Sequence, residues 1–216
     1  MRGCWRSSRG RSRANAVTAR LRIASLHSQL AGPFDLSVAA GECIAVSGAS
    51  GSGKSLFLRM IADLDPNHGE VFLDGRERHS FHPPAWRRQV AYSAAEPGWW
   101  SERVADHFPG EAMSVARATA PRIGLDPALL DGPVLGPSTG ERQRMALLRV
   151  LALNAPVLLL DEPTGSLDQE AARQVEAVLA GRLAAGDSII LVSHSPEQAA
   201  RLGHRRLTMA AGRFVA

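Results

Sequence analysis

The sequence predicts an α/β fold in which a parallel sheet is covered by helices on both faces. Three observations predict it. The runs "PVLLLDE" and "SIILVSH" are apolar almost throughout, as strands buried on both sides are. They alternate with stretches of helical spacing, in the order strand, helix, strand, helix. A glycine-rich segment, Gly48 to Ser55, joins a third apolar run to an amphipathic helix.

The elements follow in chain order. "LRIASLHSQLAGPFDLSVAAGECIAVSG" reads as two or three strands, the last of them, Glu42 to Ser47, buried. "GKSLFLRMIADL" is a helix whose face gathers Leu56, Phe57, Met60, Ile61 and Leu64. "GEVFLDGRER" is a strand with a hairpin signal at Asp74-Gly75, and "RRQVAYSA" is a further short strand with Gln89 inside it. Proline-broken helical patches then run from Glu96 to Gly136. "STGERQRMALLRVLAL" is a helix with Ser138 as N-cap and Glu141 three residues on, the capping-box pattern. After "PVLLLDE", "QEAARQVEAVLAGRLAAG" is a helix closed by Gly186, and the chain finishes on a strand-turn-strand pattern, "HRRLTMAAGRFVA". No internal repeat is visible.

Length and composition narrow the class. The 216 residues suit one domain and can bury a sizeable core. No run approaches the roughly 18 apolar residues of a membrane span, so a membrane role would go through a partner. Lys54 is the single lysine among 25 basic residues, and it falls inside the glycine-rich segment. The first 20 residues carry much of the excess positive charge, with no acid before Asp35. They read as a disordered basic extension or a false start, because they lack the apolar core of a secretory signal. Cys4 and Cys43 form no disulfide framework, which makes a reducing compartment the expectation.

The chemistry sits in three places. Gly48, Ala49, Ser50, Gly51, Ser52, Gly53, Lys54 and Ser55 match G-x-x-x-x-G-K-[ST], entered from an apolar strand and left by a helix. Glycines let the backbone N–H groups curl toward phosphate oxygens, and the helix N-terminus adds partial positive charge. Lys54 would reach the β- and γ-phosphates, and the Ser55 hydroxyl would hold Mg²⁺. "VLLLDE" puts Asp161 and Glu162 at the carboxyl end of a buried strand, where open parallel sheets bind ligands. Asp161 would hold Mg²⁺ through its water shell, and Glu162 would polarise a water attacking the γ-phosphate. His194 ends another buried strand at the same edge and could hold that water in line. The remaining histidines form no convincing ligand set, and "HSFH" reads as a solvated loop.

"PSTGERQRMALLRVLALNAPVLLLDEPTGSLD", with the phosphate loop before it and His194 after it, resembles the motif series of the ABC ATPases. The resemblance spans nearly everything after Leu21. It implies a P-loop NTPase (RecA-like) core, an antiparallel β subdomain and a helical subdomain at about residues 97–136, together one nucleotide-binding domain over residues 21–216. It also implies a head-to-tail homodimer. ATP would lie between the phosphate loop of one copy and Ser138, Gly140 and Glu141 of the other, with Asp168 coupling the two sites.

Three positions depart from the family's pattern. The signature reads Pro137-Ser138-Thr139-Gly140-Glu141 where Leu-Ser-Gly-Gly-Gln or Leu-Ser-Gly-Gly-Glu is usual. The adenine-stacking aromatic falls near His27 or Ser28, which implies modest base selectivity. The glutamine that touches Mg²⁺ and relays nucleotide state falls on Ala95, with Glu96 beside it as a substitute oxygen ligand. Trp99 and Trp100 follow at once and suit either contact with a membrane subunit or helical-subdomain packing.

The resemblance implies an ATP-hydrolysing subunit of a bacterial transporter that needs ATP and Mg²⁺. It would be docked on the cytoplasmic face of the inner membrane against a separate integral membrane permease. Small metal-ion exporters are the most similar type, with lipoprotein-release and cell-division cassettes close behind. A nucleotide-dependent switch with little turnover is the reading from another class. No nucleic-acid partner is expected, since the basic extension has little aromatic interleaving.

Overall fold

Antiparallel pairing begins earlier than the apolar pattern suggests. The computed structural model describes residues 19–215, and β1 (Ala19–His27) starts at its first described residue. Ala19 and Arg20, expected in the basic extension, lie in β1 instead, Ala19 opposite Ala39 and Arg20 O accepting from Asp74 N at 2.9 Å. The rest of that extension, Cys4 included, lies outside the described residues. β2 (Phe34–Ala39) and β3 (Cys43–Ser47) follow, so the segment expected to hold two or three strands holds three. After them come α1 (Lys54–Ile61), β4 (His68–Leu73) and β5 (Arg76–Glu77). Asp74 and Gly75 both take positive φ, 47° and 79°, as the two centre residues of a tight hairpin turn must.

One element differs from the sequence pattern. Residues 83–89 are a helix, α2 (Pro83–Gln89), and only Val90–Ser93 form strand β6. Gln89 therefore ends a helix rather than lying within a strand. The cause is tertiary. Trp86 is fully buried, and its indole N–H donates to Ile61 O at 2.9 Å, drawing this short turn onto α1. Leu64 also departs from its expected face. It lies beyond the end of α1 and is exposed.

The stretch after β6 holds short 3-10 turns and α3 (Ala112–Thr119), in keeping with its proline-broken pattern. Then follow α4 (Thr139–Leu151), β7 (Val157–Asp161), α5 (Gln169–Ala184), β8 (Ser188–Val192), α6 (Pro196–Leu202), β9 (Arg205–Ala210) and β10 (Arg213–Val215). The strands form two sheets, a four-stranded antiparallel one in the order β2-β1-β4-β5 and a six-stranded one in the order β10-β9-β3-β8-β7-β6. In the larger sheet only the β9–β10 pair is antiparallel.

Alternate residues of the parallel strands feed opposite cores. Leu158, Leu160, Ile189 and Leu191 pack with α4, α5 and the helical stretch. Val157, Leu159, Ile190 and Val192 pack with α1 and the antiparallel sheet. A strand buried on both faces has no polar side to show, which is why these runs read as continuously apolar. The arrangement brings the carboxyl ends of β3, β7 and β8 to one edge.

Candidate active site

At that edge a cavity of ≈ 640 Å³ is lined by residues 50–56 together with Leu30, Glu162, His194, Ala211 and Gly212. The glycine-rich loop forms its floor. Gly48, Gly51 and Gly53 take φ of 147°, 74° and 103°, conformations that L side chains rarely adopt. At Gly48 the need is steric as well, since a Cβ there would sit 2.2 Å from Met209 O. The N-terminus of α1 has no side-chain cap, so its first N–H groups remain available. Lys54 is buried, and its Nζ donates to Gly48 O and Ala49 O at 2.9 Å each. The ammonium has a third proton for which the described residues supply no acceptor. The Ser52 hydroxyl is buried without a partner, and the Ser55 side chain lies in the exposed first turn of α1.

These features fit a phosphate chain: curled backbone donors, an uncapped helix N-terminus, an orphaned buried hydroxyl and a lysine with a free donor. They also fit a hard divalent cation. The described residues contain no group of three or more His, Cys, Asp or Glu placed to cage a metal. Mg²⁺ asks for no such cage, because it keeps waters and phosphate oxygens and needs one or two protein oxygens. Ser55 and Asp161 are the residues of that kind here.

Asp161 ends β7 and is almost fully buried. The Tyr92 hydroxyl donates to its Oδ2 at 3.3 Å from the neighbouring β6. Burial first, and the Asp161 carboxylate second, push the Tyr92 phenol far above its ordinary range, so it remains a donor. Glu162 follows at φ 48°, a strained setting for a residue with a long side chain. Its N–H donates to Val192 O at 3.0 Å, which ties the strained residue to β8. Its Oε1 lies 3.0 Å from His194 Nε2.

The other expected residues lie elsewhere. Ser138 caps α4. Its Oγ accepts from Glu141 N at 3.2 Å, while Glu141 Oε2 accepts from Ser138 N and Ser138 Oγ at 2.7 Å each. The hydroxyl, then the backbone N–H, hold the Glu141 carboxyl below its usual range. Gly140 packs against the segment after β7, with a notional Cβ 3.4 Å from Leu167. Asp168 caps α5, accepting from Ala171 N at 2.8 Å. None of Ser138, Gly140 and Glu141 lines the phosphate-loop cavity of its own chain. His27 does not line it either; Leu30, which no sequence pattern singles out, does.

A second groove of ≈ 460 Å³ shares Glu162 with the first and is walled by Ala95, Glu96, Trp99, Thr139 and Arg142 among others. The tryptophan pair divides at its rim. Trp99 packs against the core, whereas Trp100 is 73% exposed. The Arg149 guanidinium lies 4.4 Å from the Trp99 ring centre and donates to Gly98 O at 2.9 Å. Buried His107, given no role from the sequence, accepts the Trp100 N–H at 3.1 Å on Nε2 and shapes this turn.

The family model described as ABC transporter matches residues 32–165, the phosphate loop and β7 included. The chain belongs to the ABC transporter family. Among relatives of this ABC cassette, the thiamine import ATP-binding protein ThiQ of Escherichia coli (strain K12) is 37% identical, over 89% of this chain and 88% of that one. The lipoprotein-releasing system ATP-binding protein LolD of Idiomarina loihiensis is 35% identical, over 78% and 81%. Protein STAR1 of Oryza sativa subsp. japonica is 36% identical over 84% of this chain, which spans only 55% of that protein. None of the three bears a metal-export name. Among solved structures, the dimeric cassette MJ0796 bound to ADP and Pi superposes with a TM-score of 0.80 at 20% identity, over 91% of this chain and 97% of that one. This likeness establishes the shared fold.

Proposed function

We propose that this ABC cassette binds ATP with Mg²⁺ and hydrolyses it to drive a separate membrane permease. The observation that supports the reading best is the convergence of the phosphate loop, Glu162 and His194 on one cavity, with Asp161 adjoining at the end of β7. Backbone N–H groups of residues 48–55 and Lys54 hold the phosphates. Ser55 and Asp161 would hold Mg²⁺, which would supply positive charge against the phosphates. A water then attacks the γ-phosphorus in line. Its proton passes toward Glu162, the bond from phosphorus to the bridging oxygen breaks, and ADP leaves. His194, within hydrogen-bond reach of Glu162, positions that water.

The signature residues complete the site from a second copy. Ser138 and the backbone at Gly140 lie outside their own chain's cavity, so they reach a γ-phosphate only across a head-to-tail dimer. Binding at that interface depends on the γ-phosphate, and hydrolysis reopens it. No described helix is long and apolar enough to cross a membrane. The cassette docks on the cytoplasmic face of its permease. Exposed Trp100 and the groove behind it are the surface offered to that partner.

ThiQ is named for thiamine import and LolD for lipoprotein release, so the relatives support both directions of transport and no single cargo. The competing reading is a switch that binds ATP without sustained turnover, which Ala95 in place of a glutamine would suit. Glu162→Gln separates the two. A motor loses hydrolysis and accumulates as an ATP-bound dimer on size exclusion; equal, near-zero hydrolysis in both forms supports the switch.

A further inference from the structure

We propose that Tyr92 is a positioning residue for the metal side of the site, holding Asp161 in the orientation that receives Mg²⁺. The inference rests on reading Asp161 as the metal residue. Asp161 is 2% exposed, and a carboxylate so placed must be hydrogen-bonded or neutralised. Among the described residues its one side-chain hydrogen bond comes from Tyr92 Oη, at 3.3 Å to Oδ2. Lys54, the buried cation of the loop, spends two of its donors on Gly48 O and Ala49 O rather than on Asp161. Among the described residues Oδ1 has no donor. One oxygen is thus pinned by a phenol, and the other is left to a hydrated cation.

The strands make this geometry possible. β6 and β7 run parallel, with Tyr92 opposite Leu159 and Ser93 opposite Leu160. The phenol is long enough to reach two residues along its neighbour to the strand's end. A phenylalanine would fill the same space and leave Asp161 free to turn. Because the hydroxyl touches the carboxylate and not the nucleotide, its loss is felt only when the cation is present.

The test measures affinity for adenylyl imidodiphosphate, a non-hydrolysable ATP analogue, by calorimetry on the full chain, in EDTA and in Mg²⁺. Tyr92→Phe keeps the EDTA affinity and loses about five- to tenfold of the Mg²⁺-dependent gain, the size expected for one ordinary hydrogen bond. In an Asp161→Asn background the same substitution has no further effect. If Asp161→Asn loses the Mg²⁺-dependent gain and Tyr92→Phe keeps it, the proposal for Tyr92 is wrong and the metal assignment stands. If Asp161→Asn itself keeps the gain, both fall. Equal losses in EDTA and Mg²⁺ for Tyr92→Phe indicate a merely structural tyrosine and also overturn the proposal.

Discussion

Replacing Gly48 by alanine tests whether the phosphate loop is held by the last strands of the sheet. The new Cβ would lie 2.2 Å from Met209 O and 2.9 Å from Ser52 Oγ, at a backbone φ of 147°. The serine can rotate away, but the carbonyl cannot. Met209 is fully buried in β9, which is paired to β3 on one side and β10 on the other. Overpacking against fixed backbone costs about 1–3 kcal/mol and the disfavoured φ about 1–3 more, so roughly 4 kcal/mol is expected. For a chain of this size that lowers Tm by about 10 °C. Gly51 supplies the control. Its φ is 74°, yet nothing lies within 4 Å of a notional Cβ. Gly51→Ala should therefore cost only the backbone strain, about 1 kcal/mol and about 3 °C. Thermal unfolding by circular dichroism without nucleotide reads both. Equal shifts for the two variants would refute the reasoning.

Three further outcomes are expected. Glu96→Ala cuts ATPase turnover with little change in ATP affinity, since Glu96 shares a groove with Glu162 and stands beside Ala95; unchanged turnover rules out a role as substitute ligand. Trp100→Ala leaves Tm within about 1 °C, as exposed positions do, but weakens recovery of the co-expressed permease; undiminished recovery excludes Trp100 from the contact. The Glu141 carboxyl is depressed in the folded chain, so its capping contribution is complete above the ordinary glutamate pKa of about 4.3 and is lost as pH falls through the lower folded value. Glu141→Ala should therefore flatten part of the acid limb of the stability profile, and a superimposable limb in wild type and variant would contradict this.

The parts of the site that were legible in the sequence are those whose physics is local. Ser138 and Glu141 announce a capping box because both partners lie within one turn. Asp74-Gly75 announces a hairpin because positive φ selects those residues. The phosphate loop carries strand, curl and helix in one short segment. What was hidden depends on contacts distant in sequence. α2 carries a proline at its start but is too short for a period, and Trp86 settles it through Ile61, 25 residues away. Tyr92 reaches Asp161 across 69 residues, and no pattern in either strand marks the pair. The adjacent tryptophans look equivalent until packing against the core partly buries Trp99 and leaves Trp100 exposed, its N–H donated to His107. Why Leu30 borders the cavity has the same origin, because its loop is fixed by Gly32 N donating to Gly212 O at 2.8 Å.

That bond belongs to a clasp with a bearing on biosynthesis. Gly212 N also donates to Ser52 O at 2.9 Å, and Ser47 Oγ donates to Leu207 O across 160 residues. The phosphate loop leaves the ribosome early, whereas the hairpin that braces it is translated about 160 residues later. A nascent chain or truncated product that stops after β8 therefore displays the nucleotide motif without its support. The brace from Gly212 N to Ser52 O and from Ser47 Oγ to Leu207 O closes only once that hairpin is made.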